Sequence, residues 1–520
     1  MYTTLILIFC CIILYFVYDK WCRTYFQRLG IPGPPSIPVL GNFTEWFVVF
    51  HDRFAEYFQK YGKIVGVYNF RKPTLLVSDP DVVRKILVKD FDHFVNRQEA
   101  AIKTDLLAGG MLAAKDERWR KLRSLLSPSF TSVKLKSMVP LMRECAEVLV
   151  DIFTKREEEG KTIECKELYG PYAMDVIGSC AFGLRVNSQT NQDEPFIKYA
   201  KRIFNFNVTN PAFLISMLFP WTAPIFNFFK LGSIPRDIEQ FFLGVFEKAI
   251  ADRQANGGAE TKSDFLELMM SAHKEDDDVN RMNDAEDDIT DLAQETSWKP
   301  KQKTALNRQE IIGNSITFLL AGYETSSTAL GFVSYLLATN QHVQDLLVAE
   351  VKEMAPSQSD VTFETVTKME YLNMVIMEAM RIYPPGEVLE RVCNKEITYN
   401  NITIKKGQYI FIPIWNLQHD PDLWPDPETF DPERFSKERQ GNNHPCGWLP
   451  FGMGPHTCIG VRFAMLEIKV AMVCILQKFR FDTCPETEIP PKLGNLSFLT
   501  PPNGITLRIT PHSRYNLRSR

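Results

Sequence analysis

The chain has 520 residues, and 45% of them are hydrophobic, enough to bury a large core. Its formal net charge of −4 argues against a broadly basic nucleic-acid-binding protein. Its 11 cysteines are odd in number and scattered without a C-x-x-C pair. That excludes a zinc ribbon or a dithiol redox site, and it points to a reducing compartment.

The first element is apolar. Leu5 to Val17 is almost free of polar residues, and Lys20, Arg23 and Arg28 follow. About 17 helical residues rise roughly 25 Å, near the thickness of a thin bilayer. No small-x-small cleavage site follows, and the basic flank is C-terminal. Residues 1–28 are therefore expected to be an uncleaved anchor, with the body, 29–520, on the cytosolic side.

Ile31-Pro-Gly-Pro-Pro-Ser-Ile-Pro38 can be neither helix nor central strand, and reads as a stiff spacer or a plain linker. Strand patterns follow at Ile64–Phe70 and Thr74–Val77, and then Ser78 or Asp79 is placed to cap a helix that carries Pro80 in its first turn. From there to about residue 385 the apolar spacing is mostly helical. Thr398 to Pro413 reads as strand, with Asn400-Asn401 as a hairpin turn. The expected fold is mainly α with a smaller β component near each end of the body.

Two segments stand apart. Residues 203–229 are crowded with aromatics, including Phe204, Phe206, Phe213, Phe219, Trp221 and Phe229, and are broken by Pro211, Pro220 and Pro224. They read either as core or as an apolar surface that meets lipid or greasy substrates. Residues 275–295 are densely acidic and read as a solvated loop.

The chemistry concentrates in Pro450-Phe-Gly-Met-Gly-Pro-His-Thr-Cys-Ile-Gly460. Glycines let backbone approach a flat object or take positive φ. A helical pattern begins just after Cys458, so its first N–H groups are expected to face the sulfur and ease its ionisation. Such a thiolate is either a nucleophile, with His456 as a base, or a metal ligand.

Phe451-x-x-Gly454-x-x-x-Cys458-x-Gly460 resembles the haem-binding loop of the cytochrome P450 family. Other family motifs occur in order. Glu378-Ala-Met-Arg381 resembles E-x-x-R, and Pro432-Glu-Arg434-Phe resembles the segment that adds a second arginine to that pair. Trp119-Arg-Lys-Leu-Arg123 resembles W-x-x-x-R, and Leu389-Glu-Arg391 resembles a further segment whose arginine reaches a haem propionate. Ala321-Gly-Tyr-Glu-Thr325 resembles the oxygen-activating helix, within an apolar pattern from Ile311 to Leu337. One departure is His456, where the family usually has arginine.

The resemblance is greatest to the animal microsomal group that handles drugs and steroids. It implies a helical haem domain with small sheets behind a transmembrane anchor helix. It implies haem (heme b, iron protoporphyrin IX) ligated by Cys458, with Trp119, Arg123, Arg391, Phe451 and His456 as cofactor-binding residues and Thr325 and Glu324 as the proton-delivering pair. It also implies O2 and a lipophilic substrate, with electrons from NADPH through cytochrome P450 reductase and with cytochrome b5 as an additional donor. The expected location is the endoplasmic reticulum membrane. A peroxide-rearranging isomerase and a haem sensor are rival readings, and the Glu324–Thr325 pair speaks against both. A propionate beside His456 is expected to raise its pKa, so that haem retention weakens toward alkaline pH.

Overall fold

The structure is a computed structural model that describes residues 2–42, 50–98, 105–191, 193–204, 215–216, 219–229, 234–255, 264–274, 306–399, 402–494 and 499–513. Helix α1 (Tyr2–Arg23) is long and apolar enough to cross a membrane. Asp19 near its foot is buried. The Asp19 carboxylate accepts from Arg23 Nε at 2.7 Å and from Val39 N at 3.2 Å, while Arg23 Nη1 donates to Ser36 O at 2.9 Å. This helix is thus tied to the proline-rich run. That run is itself packed on the body: Gly66 N donates to Pro32 O at 2.8 Å. A Cβ at Gly33 would lie 2.0 Å from Gly66 O, so this approach requires glycine.

Strands β1 (Ile64–Asn69) and β2 (Lys72–Val77) form where the two strand patterns were expected and pair antiparallel. Helix α2 (Pro80–Arg84) is capped by Asp79, whose carboxylate accepts from Asp81 N and Val82 N, both at 3.0 Å. The body is then built from α3 (Asp116–Leu126), α4 (Ser132–Glu158), the short β3 (Ile163–Glu164), α5 (Cys165–Phe182), α6 (Arg308–Thr339) and α7 (Glu370–Ile382). Strands β4 (Val388–Val392), β5 (Ile397–Tyr399), β6 (Ile402–Ile404) and β7 (Tyr409–Pro413) follow, then α8 (Val461–Leu476), β8 (Phe479–Asp482) and β9 (Thr506–Pro511).

The sheets are small: β1-β2-β7-β4, β3-β9-β8 and the hairpin β5-β6. The expected class, mainly α with a smaller β component, is the observed one. Strand β2 runs parallel to β7, with Thr74 opposite Tyr409. This long-range pairing joins the two ends of the body. It also carries β4, which lies between the expected helical region and the expected strands and was not read as a strand in the sequence.

Helix α6 is the axis of the core and is buried along nearly all of its length. Asn307 and Glu310 form a capping box at its start, with Glu310 N donating to Asn307 Oδ1 at 2.8 Å. It packs closely on α5, where a Cβ at Gly322 would lie 3.3 Å from Ile177 and one at Gly170 would lie 3.2 Å from Tyr323. The acidic segment and the Asn400-Asn401 turn lie outside the described residues, as do Phe206 and Phe213. Of the described residues in the aromatic segment, Trp221, Ile225 and Phe229 are exposed, Trp221 at 71%. This part is an apolar surface rather than core.

Candidate active site

The cysteine loop is fixed from both sides. Gly454 has φ of 71°, and a Cβ there would lie 2.1 Å from Leu87 O, so only glycine fits. Cys458 N donates to Phe451 O at 2.7 Å and closes the loop. Helix α8 begins three residues later, and the Gly460 N–H reaches the sulfur. The expected easy ionisation is not what this environment gives. Burial raises the Cys458 thiol above its ordinary value, and the opposing pull of Gly460 N–H, Arg123 and Arg97 is weaker. One helix-end N–H does not offset loss of water. A thiolate here needs a bound cation, as a coordinated metal supplies.

Although protein surrounds it, the Cys458 side chain keeps accessible surface. Ala321 is exposed and Thr325 half-buried in the middle of otherwise buried α6. Accessible positions so deep in the molecule mark an internal space.

Its polar rim is basic. Arg391 on β4 is 2% exposed and its Nε has no partner among the described residues. Burial brings its pKa down to about 9, aided by repulsion from Arg97 and opposed by Glu390. Burial also lowers Arg97 and Arg123, and both act on Cys458. Three guanidinium groups thus converge, and among the described residues Glu390 is the one carboxylate acting on them. Such an excess of positive charge away from water costs heavily unless an anionic group enters. A macrocycle with two carboxylates fits this vacancy in charge. Arg97 was not picked out in the sequence. Its only signal there is a single arginine after Phe94-Val95-Asn96.

His456 differs from expectation. Its ring lies 3.9 Å from Trp119 and 5.3 Å from Phe91, and its Nε2 is 2.7 Å from Val95 O. Burial, with repulsion from Arg391, Arg97 and Arg123, lowers its pKa to about 2. The ring is therefore neutral and donates to Val95 O. The expected raise depended on a propionate beside the ring; in the protein's own surroundings burial first, and then the three arginines, act the other way.

Glu378 and Arg381 are fully buried, with Arg381 Nε 2.7 Å from Glu378 Oε2. Arg434 Nε lies 3.3 Å from Glu378 Oε1. Arg381 also donates to Gln418 O at 2.8 Å and Pro427 O at 2.7 Å. The three side chains form the expected triad and tie α7 to the segment before the cysteine loop.

On α6, Thr325 Oγ1 donates to Ala321 O at 2.8 Å. Ala321 is open to the internal space, whereas Gly322 serves the contact with Ile177. Glu324 is not an isolated acid. Lys166 Nζ lies 2.9 Å from its Oε1 and Thr500 Oγ1 3.4 Å away. Lys166 also donates to Ser327 Oγ at 2.8 Å and Thr328 Oγ1 at 3.1 Å. These partners line a cleft of about 340 Å³ that is open to the outside.

A helical body enclosing a cavity, with one cysteine loop below and an arginine rim beside it, defines a protein that holds an anionic, sulfur-ligated cofactor. Comparison with known proteins gives the particular family. The cytochrome P450 family model matches residues 31–509. Cytochrome P450 3A27 of Oncorhynchus mykiss is 38% identical over 494 residues, 95% of this chain and 92% of the relative. Cytochrome P450 3A9 of Rattus norvegicus is 38% identical over 98% of this chain and 96% of the relative, and cytochrome P450 3A41 of Mus musculus is 37% identical over 96% and 95%. The chain belongs to the cytochrome P450 family. It is a haem-thiolate monooxygenase, an oxidoreductase whose haem is ligated by a cysteine.

Proposed function

We propose that this enzyme inserts one oxygen atom from O2 into a lipophilic substrate, with Cys458 as the haem ligand. The observation that carries the reading is the excess of positive charge of Arg97, Arg123 and Arg391 over Glu390 near that cysteine. Haem supplies the activation of O2, and the thiolate ligand favours O–O cleavage. The chain's part is to bind, orient and exclude water. Arg97, Arg123 and Arg391 hold the propionates, Trp119 and Phe451 pack beside the macrocycle, and neutral His456 supports Trp119. Thr325 holds a proton at its hydroxyl on the cavity side. Glu324, joined to Lys166 and the outer cleft, passes protons inward.

Electrons come from NADPH through cytochrome P450 reductase, with cytochrome b5 as an additional donor. The reductase docks on the cysteine side, where Lys121 and Arg462 are half-buried cations; Arg462 also donates to Ser132. Residues 1–28 anchor the haem domain, 29–520, to the endoplasmic reticulum membrane with the body in the cytosol. The exposed Trp221, Ile225 and Phe229 suit contact with lipid.

Replacing the ligand tests the reading. Cys458→Ala is expected to lose the long-wavelength Soret band of the ferrous carbonyl complex, and with it product formation. A normal band in that variant overturns the assignment.

A further inference from the structure

Guanidinium groups of like charge resist being held together. Arg97 repels both Arg391 and Arg123, and the three come from separate parts of the chain. Arg123 is placed by α3 and Arg391 by β4. Arg97 instead lies on irregular backbone, shortly after the turn at Phe91–His93. Contacts outside regular structure must therefore set its position.

One residue joins all three parts. Asp116 is the first residue of α3, three before Trp119 and seven before Arg123. Its Oδ1 accepts from Asn96 Nδ2 at 3.0 Å and from Asn394 Nδ2 at 3.2 Å, and its backbone N donates to Asn96 Oδ1 at 2.9 Å. Asn96 immediately precedes Arg97, and Asn394 lies three residues beyond Arg391. Backbone bonds complete the joint: Val392 N donates to Asn96 O at 2.8 Å, and Asn394 N donates to His93 O at 2.7 Å. Asp116 also has φ of 46°, in the left-handed region that aspartate and asparagine tolerate better than most side chains. Its side chain is exposed, so the joint draws on its acceptor oxygen and its backbone conformation more than on a buried charge.

We infer that Asp116 is a positioning residue that holds the segments of Arg97, Arg123 and Arg391 in one frame against their mutual repulsion, in register with the haem propionates. It acts through Asn96 and Asn394. The inference rests on the propionate-holding role given to the three arginines above.

The test uses the haem-loaded, full-length enzyme. Asp116→Gly permits the same backbone conformation but removes the acceptor, whereas Asp116→Asn keeps the acceptor and removes the charge. In Asp116→Gly, transfer of haem to an external haem-binding protein should run roughly three- to tenfold faster, as loss of two hydrogen bonds allows. The propionate bending bands in its resonance Raman spectrum should shift, while the long-wavelength Soret band of the ferrous carbonyl complex stays in place. Asp116→Asn should restore wild-type haem transfer and propionate bands. If Asp116→Gly does not load haem, Asn96→Ala, which removes the same bonds from the other side, should show the faster transfer and the shifted bands. Arg97→Ala serves as the reference and should shift the bands or lose haem outright. If it does so while Asp116→Gly or Asn96→Ala keeps wild-type bands or wild-type haem transfer, or while Asp116→Asn fails to rescue, this inference alone is overturned. Arg97→Ala with wild-type bands and wild-type haem transfer overturns the arginine arrangement on which it rests.

Discussion

Single side chains set how this site responds to pH. His456 occupies a position where a charge is expected, yet it is neutral with a pKa near 2, because burial and three arginines act together. It has no proton to lose near neutrality. Haem-loss rates of wild type and His456→Arg are therefore expected to run parallel from about pH 6 to about pH 9; a steeper rise toward alkaline pH in wild type alone would contradict this. Glu467, buried on α8 with Ser326 Oγ donating to its Oε2 at 2.7 Å, has the opposite sign, because burial favours its neutral form. Its folded pKa, about 8, lies above the unfolded carboxylate value of about 4.3. The folded state then binds the extra proton, so its stability contribution is fullest below the unfolded value and is lost as pH rises through about 8. Urea unfolding of wild type should show this decline, and Glu467→Gln should flatten it.

Elements are held by buried polar contacts as much as by apolar packing. Glu378 on α7 takes two contacts from Arg381 and one from Arg434, in a region without exposure. Burial raises the Glu378 pKa although Arg381 pulls it down, so the triad is an expensive arrangement that fixes geometry rather than a source of net stability. Glu378→Ala strands Arg381 inside the core. The expected cost is about 3–5 kcal/mol, with haem lost at lower denaturant concentration. A shift in the unfolding midpoint of less than about 1 kcal/mol would mean that the triad is dispensable. The spacing of Glu378 and Arg381 on one helix face was legible in the sequence. The share taken by Gln418 O and Pro427 O was not, because backbone carbonyls leave no mark in residue identity.

At the scale of the whole molecule, α1 is joined to the body through Asp19, Arg23, Ser36 and Val39 rather than hung on a loose linker. Removing residues 1–28 is expected to weaken membrane attachment and leave haem binding intact, with residual attachment through the exposed aromatics near Trp221. Flotation with vesicles checks this; full retention on the membrane would show that the anchor is redundant. The sequence by itself determined the helical class, the apolar first helix, the cysteine loop and the E-x-x-R pair, because each is written in local spacing or in a short run of residue types. It did not reveal β4, since that strand is defined by its pairing with β7. Nor could it reveal Arg97, the ion pair of Glu324 with Lys166, or the isolation of Glu467. In each case the partner lies elsewhere in the chain, and the protonation state depends on burial and on the summed charge around it. Those quantities exist only once the chain has folded.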